Sequence, residues 1–377
     1  MHIAINGWFW DSPHVGSGQY LRGLLSQLVR LAPEARFSLI VPQHATQTDS
    51  VPPSVHVVSI PAGRGHLGKV FFEQRGFPQA VRAIGADIAH IPYWGPPLSS
   101  PAPMVTSVLD VIPLIFPEYA RGFRARLYTS LVSAAARGSA HILTLSETSK
   151  ADIIKYLNIP ETQITATHLA ADERFHPQLG AERDEAVREK YGLPDQFVLH
   201  LNGFDRRKQV NELLYAYTFV AQAQPDVPLV LGGKEPDWNN PLFPNMREYA
   251  RQLDLEDHII WAGYIDEEDK PSLYRLASVY VNPSAYEGFG LPLLEAMASG
   301  TPVVAFNTEV FNEIAGEGAY LVENTRSMAG AIIALLVQEP LREAMITQGL
   351  ARATNFSWRN TARQTLDVYE QVLQQNR

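Results

Sequence analysis

Residues 280–306 read YVNPSAYEGFGLPLLEAMASGTPVVAF and predict a strand, a glycine-containing loop, a helix and a second strand in direct succession. The first strand is rich in β-branched and aromatic residues and stops at Asn282 and Pro283. Pro292 is favoured at the start of a helix, where its missing N–H costs nothing, and Gly300 is typical of a helix end. This succession is typical of an α/β architecture with parallel strands.

The loop and the first turns of this helix combine an anion-binding backbone with two carboxylates. A glycine-rich turn at a helix N-terminus presents unpaired N–H groups, reinforced by the helix dipole, to anionic oxygen atoms. Glu287 lies on the loop and Glu295 in the helix, in the spacing E-x7-E, and carboxylates accept hydrogen bonds from hydroxyl groups. The combination suits a ligand with phosphates in the middle and sugars at both ends, such as a nucleotide sugar. The plain alternative is a solvated loop acid and an ordinary surface helix position.

The composition is that of a globular protein with room for two domains. The 377 residues are 46% hydrophobic and 19% charged, and the formal net charge is -9. Negative charge without any dense basic tract argues against a nucleic-acid partner. The chain has no cysteine, which excludes disulfides and thiolate metal sites.

The start of the chain and its hydropathy predict a cytoplasmic protein. The opening stretch, MHIAINGWFW, leads directly into an apolar strand and lacks the basic and long apolar regions of a secretory signal. No run of about eighteen apolar residues is present, so no transmembrane helix is expected. The segment 121–138 nevertheless places Arg121, Arg124, Arg126 and Arg137 around an apolar helical stripe, which leaves a peripheral membrane contact open beside the plainer interpretation as a surface helix.

The first half of the chain opens with a predicted strand at residues 2–6, followed by a second glycine-containing turn. Gly16 and Gly18 precede an amphipathic helical pattern over residues 20–31. A flexible turn therefore again leads into a helix N-terminus, although a G-x-G by itself is typical of many turns.

Three consecutive rings, Trp8, Phe9 and Trp10, stand beside that turn. A ring face stacks well on the apolar face of a sugar, so the rings predict an acceptor platform, while a core cluster is equally consistent with them. The segment 61–76 is rich in glycine and basic residues and predicts a mobile loop leading into a helix, a common location for binding residues.

Strands and helices alternate through both halves, which predicts parallel sheets covered on both faces. The further predicted strands are residues 37–41, 55–60, 197–201, 227–231, 258–262, 279–281, 303–306 and 319–322. The polar run 179–196 predicts a linker between an N-terminal domain, residues 1–178, and a second domain, residues 197–356. Residues 357–377 predict a final helix.

A cluster of cations follows the first predicted strand of the second domain. Arg206, Arg207 and Lys208 lie in the turn that leads into the next helix. Cations at a helix start are unfavourable because of the dipole, and a bound diphosphate would explain three of them together. The alternative is a solvated surface cluster.

The run EGFGLPLLEAMASGTPVV resembles the E-x7-E signature of the retaining glycosyltransferases of family 4. The resemblance implies the GT-B fold, an α/β architecture of two Rossmann-like, doubly wound domains that face each other across a cleft. It also implies that Glu287 contacts hydroxyls of the transferred sugar and that Glu295 binds the ribose. Backbone amides between them would hold sugar and diphosphate, at Gly288, Phe289, Gly290 and Leu291.

Other positions match the family outside this signature. Gly16 and Gly18 correspond to the glycine-rich loop that approaches the donor diphosphate and the acceptor. Arg207 and Lys208 match the cations that neutralise the departing diphosphate, and Phe204 stands where some members have a further arginine. The resemblance also implies catalysis without a metal, and a C-terminal helix that crosses back to the first domain.

One position departs from the family pattern. The family commonly shows a His-Asp pair in this region, and here Asp110 matches the acid while Leu109 replaces the histidine. Leucine can neither donate a hydrogen bond nor take a proton. His90 is a candidate to compensate, although a lone histidine on a strand is more often structural.

The resemblance therefore implies a retaining glycosyltransferase that moves a hexose to a glycan or lipid-linked acceptor. Residues 109–119, LDVIPLIFPEY, most resemble mannosyltransferase-like members of the family, which favours mannose and GDP-mannose, with a UDP-sugar as the second choice of donor. The predicted catalytic residues are Glu287, Asp110, Lys208 and Arg207, and the predicted acceptor-binding residues are Trp8, Trp10 and His90. Two alternatives remain: a sugar-nucleotide epimerase or similar GT-B enzyme, and a catalytically silent partner subunit that binds nucleotide or glycan.

Overall fold

The computed structural model of the protein describes residues 1–376 and divides into two compact units. The N-terminal unit comprises Met1–Leu169 together with the chain from Ser357 onward, and the C-terminal unit comprises Ala170–Phe356. Within residues 1–376, no helix has the length and apolarity needed to cross a membrane.

The N-terminal unit is built on a seven-stranded parallel sheet with the order β3-β2-β1-β4-β5-β6-β7. Its strands are β1 His2–Asn6, β2 Arg36–Pro42, β3 His56–Ile60, β4 Ile88–Ile91, β5 Met104–Ser107, β6 His141–Thr144 and β7 Ile164–Ala166. Ile3 pairs with Phe37 on one side and with Ile88 on the other. The central strands β1, β4, β5 and β6 are buried at every position, as expected for a parallel sheet covered on both faces.

Helices lie in four of the six connections between consecutive strands of this sheet, while a 3-10 turn joins β2 to β3 and a loop joins β4 to β5. The helices are α1 Gly16–Leu31, α2 Gly65–Phe71, α3 Phe77–Ile84, α4 Ile112–Ile115, α5 Phe123–Arg137 and α6 Glu147–Leu157. A π-helical turn, Phe72–Gly76, joins α2 to α3, so the predicted loop 61–76 is helical from Gly65 onward. The apolar positions of α1 at helical spacing are buried, as their pattern predicts.

The C-terminal unit contains a six-stranded parallel sheet with the order β10-β9-β8-β11-β12-β13. Its strands are β8 Val198–Leu201, β9 Leu229–Gly232, β10 Ile259–Gly263, β11 Val279–Asn282, β12 Val303–Phe306 and β13 Tyr320–Val322. Tyr280 pairs with Leu199 on β8 and with Val303 on β12. The strands predicted from the sequence all appear, with small differences at their ends.

Eight helices of the described chain belong to this unit. They are α7 Asp184–Tyr191, α8 Val210–Ala223, α9 Met246–Gln252, α10 Lys270–Leu276, α11 Leu291–Ala298, α12 Glu309–Ala315, α13 Thr325–Val337 and α14 Glu339–Ala353. Short 3-10 turns complete the chain at Thr48–Ser50, Pro117–Ala120, Glu161–Gln163, Ala181–Arg183, Arg206–Lys208, Glu256–His258 and Gly316–Gly318.

The segment 179–196, predicted as a linker, is part of the C-terminal unit, because the compact units divide between Leu169 and Ala170. Its helix α7 buries Val187 and places Asp184 2.5 Å from the Arg275 guanidinium of α10. A polar helix needs few apolar contacts when ion pairs hold it to its neighbour, and for this reason its composition resembled that of a linker.

The last helix, α15 Trp358–Gln375, belongs to the N-terminal unit although it follows the C-terminal unit in the chain. Its Tyr369 hydroxyl lies 2.5 Å from His90 Nδ1, and His90 Nε2 lies 2.9 Å from the Ser107 hydroxyl. The Ser107 hydroxyl in turn lies 3.0 Å from that of Tyr20 on α1. This buried chain of hydrogen bonds connects α15 to the middle of the sheet and to α1.

We expect Tyr369→Phe to lower the free energy of unfolding of the full chain by about 1–2 kcal/mol, because it removes one buried hydrogen bond and leaves His90 Nδ1 without its partner. Urea titration followed by fluorescence measures the change. Tyr320→Phe is the matched control, since Tyr320 is exposed. If Tyr369→Phe and the wild-type protein had the same free energy of unfolding, the hydrogen bonds between Tyr369, His90 and Ser107 would contribute nothing to the attachment of α15.

Candidate active site

The candidate site of the C-terminal unit lies where two neighbouring strands end. β8 leads into the basic turn Arg206–Lys208, and β11 leads into the loop that carries Glu287. β8 and β11 are adjacent in the sheet at the point where the strand order reverses, which is where open α/β sheets bind ligands. A backbone hydrogen bond of 2.9 Å from Ala285 N–H to the Arg207 carbonyl holds the two loops together.

Glu287 is the centre of an ion cluster. Its Oε1 accepts a hydrogen bond from Lys208 Nζ at 2.5 Å, and its Oε2 accepts one from Arg207 Nη1 at 2.8 Å. The same Arg207 nitrogen also donates to the Tyr286 carbonyl at 2.6 Å, and Asn202 Nδ2 approaches Glu287 Oε1 at 3.4 Å. Each of the three charged side chains is about nine-tenths buried, with side-chain exposures of 9–12%.

The protonation of this cluster follows from burial and from the paired charges. Burial favours the neutral acid, but the neighbouring Lys208 and Arg207 charges outweigh it and lower the pKa of Glu287 to about 2. Burial also lowers the pKa of the Lys208 ammonium, and Glu287 opposes that shift. Glu287 is therefore an anion throughout the neutral range and acts only as a hydrogen-bond acceptor.

The loop after Glu287 requires glycine at one position. Gly290 has a φ of 95°, and a Cβ there would lie 2.7 Å from the Phe311 ring. Gly290 is the residue before the first turn of α11, and Pro292 occupies that first turn, in agreement with the predicted helix start. The loop therefore directs the N-terminal end of α11 to the same edge of the sheet as the ion cluster.

Glu295, on α11, is buried beside a tyrosine hydroxyl, whereas Glu287 is paired with two cations. The residue exposure of Glu295 is 6%, and Tyr274 Oη on α10 donates a hydrogen bond of 3.1 Å to its Oε2. Burial raises the pKa of Glu295 to about 7, against the opposing effects of Lys270 and the Tyr274 hydrogen bond. The two acids of the E-x7-E spacing thus have pKa values displaced in opposite directions.

The structure brings together Arg207, Lys208, Glu287 and the loop residues 288–291, as the sequence analysis predicts for a donor site. Arg206, the third cation, is instead exposed and donates to the Pro241 carbonyl. Sequence reasoning missed Asn202 and Tyr274. Asn202 directly follows β8 and could have been found by its position, whereas a tyrosine at an apolar helix position carries no such signal.

The N-terminal unit holds the remaining predicted residues, and only some of them are accessible. Gly16 is exposed at the first position of α1. Gly18 is buried, and a Cβ there would lie 1.9 Å from the Ser12 carbonyl oxygen, so close packing of the preceding loop requires glycine. Asp110 and Leu109 are half-buried after β5, and Asp110 Oδ1 accepts a 3.1 Å hydrogen bond from Ile112 N–H.

Two predicted acceptor-binding residues lie in the core of this unit instead. Trp10 is 2% exposed, donates to the Gln47 carbonyl and has the Arg22 guanidinium 4.5 Å from its ring centroid. His90 has no exposed surface, and burial lowers its pKa to about 3. Both side chains serve packing, so neither forms an acceptor platform.

Trp8 is half-buried, and its ring lies 5.2 Å from that of Phe72. It therefore keeps part of its surface near the loop after β1.

The C-terminal site contains two cations, backbone N–H groups at a helix start and two carboxylates. The pKa of one carboxylate is lowered to about 2, and that of the other is raised to about 7. Cations and N–H groups bind phosphate oxygens, and carboxylates accept hydrogen bonds from sugar hydroxyls. Within residues 1–376, no group of three or more His, Asp or Glu side chains is arranged to hold a metal ion.

Two sequence families match the chain. The family described as "Glycosyl transferases group 1" matches residues 183–352, and the family described as "Glycosyl transferase 4-like domain" matches residues 15–170.

Several relatives are similar over most of this chain. O-antigen chain mannosyltransferase B of Escherichia coli is 33% identical over 270 residues, which cover 71% of this chain and 70% of that protein. Serotype-specific mannosyltransferase WbdA of Escherichia coli is 29% identical over 273 residues, 70% of this chain, but this match spans only 33% of that longer protein.

Solved structures share the whole architecture at low sequence identity. Sucrose-phosphate synthase from Thermosynechococcus elongatus has a TM-score of 0.76 at 22% identity and covers 99% of both chains. Anabaena HepE, solved in complex with UDP-glucose, has a TM-score of 0.75 at 17% identity and covers 98% of this chain and 100% of that one.

Proposed function

Because this chain belongs to the group 1, family 4 glycosyltransferases with the GT-B fold, we propose that it transfers mannose from GDP-mannose to a glycan or lipid-linked acceptor with retention of configuration. The predicted fold and the predicted enzyme class, a hexosyltransferase, are confirmed by the family matches, the mannosyltransferase relatives and the structural neighbours. The proposal concerns three finer points: mannose as the transferred sugar, GDP as the donor nucleotide and retention of the anomeric configuration.

Mannose is favoured by the relatives. O-antigen chain mannosyltransferase B covers the largest part of this chain among the relatives described, and WbdA is also a mannosyltransferase. The name of the first places it in polysaccharide synthesis, which supports a glycan acceptor. A UDP-sugar remains the second choice of donor, since HepE binds UDP-glucose on the same fold.

The observation that carries the proposal is the ion cluster beside the α11 N-terminus. Lys208 and Arg207 both contact Glu287, and they place two positive charges next to the loop 288–291. In our proposal the donor diphosphate lies against these cations and the loop N–H groups, and Glu287 accepts hydrogen bonds from the transferred sugar. Glu295 accepts hydrogen bonds from the ribose.

The proposed chemistry places the largest stabilisation on the leaving group. As the bond between the sugar and the diphosphate breaks, negative charge grows on the phosphate oxygens, and fixed cations bind that charge more strongly than they bind the ground state. The acceptor hydroxyl attacks from the face that the diphosphate leaves and gives its proton to a phosphate oxygen. Asp110 shapes the acceptor side of the reaction, and no metal ion takes part.

Because Leu109 replaces the histidine that the family commonly shows, two alternatives are tested beside the transferase: a silent partner subunit and an epimerase. A histidine at this position would supply a hydrogen bond that leucine cannot make. A silent partner subunit would bind nucleotide without turnover, and an epimerase would convert the donor in the absence of acceptor. The hydrogen-bonded set of Glu287, Lys208 and Arg207 favours an active enzyme over a silent partner.

The test of the proposed function is calorimetric titration with GDP and UDP, with and without a chelator, followed by hydrolysis of GDP-mannose and UDP-glucose. We expect chelator-insensitive binding of GDP in preference to UDP, and slow release of mannose from GDP-mannose. Binding without turnover, even with glycan acceptors present, would favour the silent partner. Acceptor-independent conversion of the donor to another sugar nucleotide would favour the epimerase.

We expect Lys208→Ala and Glu287→Ala each to lower kcat by about 10²- to 10³-fold, because each removes a preorganised charged contact to the reacting group. Initial rates of mannose transfer at saturating donor measure the loss. Glu235→Gln is the matched control, since it removes a carboxylate from a partly exposed ion pair with Arg247 in the same unit. Near-normal turnover in either site variant, with the folded state verified by thermal melting, would refute the assigned role.

A peripheral membrane contact is the second part of the proposal, and α2 and α5 carry it. Leu67 and Phe71 share a face of α2, and Phe123 and Leu127 share a face of α5. All four are exposed, Leu67 and Phe123 by 82% and 81%. Exposed large apolar side chains in such groups are typical of an interaction surface.

The charges around these side chains fit an anionic lipid surface. Between Asp49 and Asp87 the only acidic residue is Glu73, and between Glu118 and Glu147 there is none. Glu73 is fully buried and paired with Lys69 at 2.9 Å, so it contributes no surface charge. The exposed basic residues of these stretches are Arg64, Arg75, Arg82, Arg121, Arg124, Arg126 and Arg137. A basic and apolar surface on a chain of net charge -9 is complementary to anionic lipid headgroups.

The buried pair also fixes the two helices to each other. Lys69 Nζ on α2 donates to the Tyr128 hydroxyl on α5 at 2.7 Å, and Tyr128 donates to Glu73 at 3.1 Å. The His66 ring lies 5.0 Å from that of Tyr128. These contacts fix α2 to α5, so the exposed apolar pairs of the two helices keep a constant position relative to each other.

We expect the full chain to float with phosphatidylglycerol vesicles at low salt, and the double variant Leu67→Ser/Phe123→Ser to bind about tenfold more weakly or worse, because two large apolar side chains no longer leave water. Tyr215→Ser/Phe219→Ser is the matched control, an exposed aromatic pair of the C-terminal unit. Equal binding by both double variants would exclude this surface. A concentration-dependent dimer that the first double variant abolishes would identify a second copy as its occupant.

A further inference from the structure

Tyr274 makes a specific contact with the second acid of the E-x7-E spacing. Its hydroxyl donates to Glu295 Oε2 at 3.1 Å, and within residues 1–376 this is the only hydrogen bond to the carboxylate of Glu295. Oε1 of the same carboxylate therefore keeps its acceptor capacity for a ligand.

The tyrosine ring is fixed on several sides, so its hydroxyl has a defined position. Tyr274 is completely buried, and its ring packs edge-on against Phe175 at 5.8 Å and Tyr280 at 5.4 Å. Thr301 Oγ1 donates to the Tyr274 carbonyl at 2.6 Å, which anchors the backbone of α10. A donor held in this way orients its acceptor, because rotation of the Glu295 carboxylate would break the contact.

The charged groups around Glu295 provide no comparable contact. Lys270 is paired with Glu267 at 2.5 Å, and Arg174 is paired with Asp172 at 3.0 Å. Lys270 and Arg174 favour the carboxylate from a distance, and Glu267 disfavours it. Tyr280 on β11 donates its hydroxyl to the Leu201 carbonyl instead, and burial, with Glu287 and Glu295 nearby, raises its pKa well above the usual range, so it stays neutral.

We propose that Tyr274 is a positioning residue of the donor site, which holds Glu295 through Oε2 so that Oε1 accepts hydrogen bonds from the ribose hydroxyls of the bound nucleotide sugar. The inference rests on the proposed function, because it takes Glu295 as the ribose ligand. Tyr274 touches neither the sugar nor the phosphates in this arrangement and acts only through Glu295.

The contact also couples donor binding to pH. Burial raises the pKa of Tyr274 well above its usual range, so its hydroxyl remains a donor at every working pH. The carboxylate of Glu295 accepts ribose hydroxyls only when ionised, and its pKa of about 7 means that the ionised fraction falls as the pH falls below 7. Loss of the tyrosine hydroxyl destabilises the carboxylate and moves this loss of donor affinity to higher pH.

The experiment is calorimetric titration of the full chain with GDP-mannose, and with UDP-glucose as second probe, from pH 5.5 to 8.5. A sugar diphosphate is preferable to GDP, because GDP has a terminal phosphate that itself titrates near pH 6. We expect Tyr274→Phe to bind about tenfold more weakly than wild type at pH 7, with the difference narrowing toward pH 8.5. In turnover we expect KM to rise while kcat stays within about twofold.

Two further variants separate positioning from a structural effect. Tyr217→Phe removes another buried tyrosine hydroxyl of the same unit, one that donates to the Val227 carbonyl, and should leave the pH profile unchanged. The side chain introduced by Glu295→Gln does not titrate. The double variant Tyr274→Phe/Glu295→Gln should therefore show the same dependence of donor affinity on pH as Glu295→Gln alone. An affinity loss in Tyr274→Phe that is equal at every pH, or that persists in the Glu295→Gln background, would overturn the inference. Failure of wild-type protein to bind either sugar nucleotide would instead overturn the proposed function.

Discussion

The ion cluster of Glu287 with Lys208 and Arg207 depends on one constraint, the adjacency of β8 and β11 in a parallel sheet. The two loops are separated by about 80 residues of sequence and meet because parallel strands end at the same edge. Buried ions of one sign would be strongly destabilising, and here each cation meets the same carboxylate. The site is therefore preorganised before any ligand arrives, with its charges held in place by one another and by the backbone contacts between the loops.

Glu287 and Glu295 differ in protonation behaviour although only seven residues separate them in the sequence. Glu287 is kept ionised by adjacent cations, which lower its pKa to about 2, whereas burial raises the pKa of Glu295 to about 7. The difference arises because Lys208 and Arg207, which follow β8, outweigh the effect of burial on Glu287, whereas Lys270 and the Tyr274 hydrogen bond from α10 offset the burial of Glu295 only in part. In the proposed function, a permanent anion at Glu287 accepts hydrogen bonds from the transferred sugar at every working pH, whereas Glu295 accepts them from the ribose only when it is ionised.

The N-terminal unit uses its polar residues differently. His90, Ser107 and Tyr369 form a buried chain that attaches α15 to the sheet, and Trp10 is covered by Arg22. A second buried group, Glu73 with Lys69 and Tyr128, links α2 to α5 and removes the only acid from a basic and apolar surface. Several polar side chains that look available in the sequence therefore serve to connect helices to strands or to other helices.

The sequence by itself determined the alternation of strands and helices, the glycine-rich loop before α11 and its following helix start, because local patterns and turn chemistry act over a few neighbouring positions. It also pointed to the transferase class, since Glu287, Glu295 and the glycines between them keep a fixed spacing on one strand–loop–helix unit. Only the tertiary structure decided that His90 and Trp10 are core residues, that residues 184–191 form a helix of the C-terminal unit, and that Tyr274 contacts Glu295. These outcomes depend on partners distant in the chain, such as Tyr369 for His90 and Arg275 for Asp184, and no local pattern records such pairings.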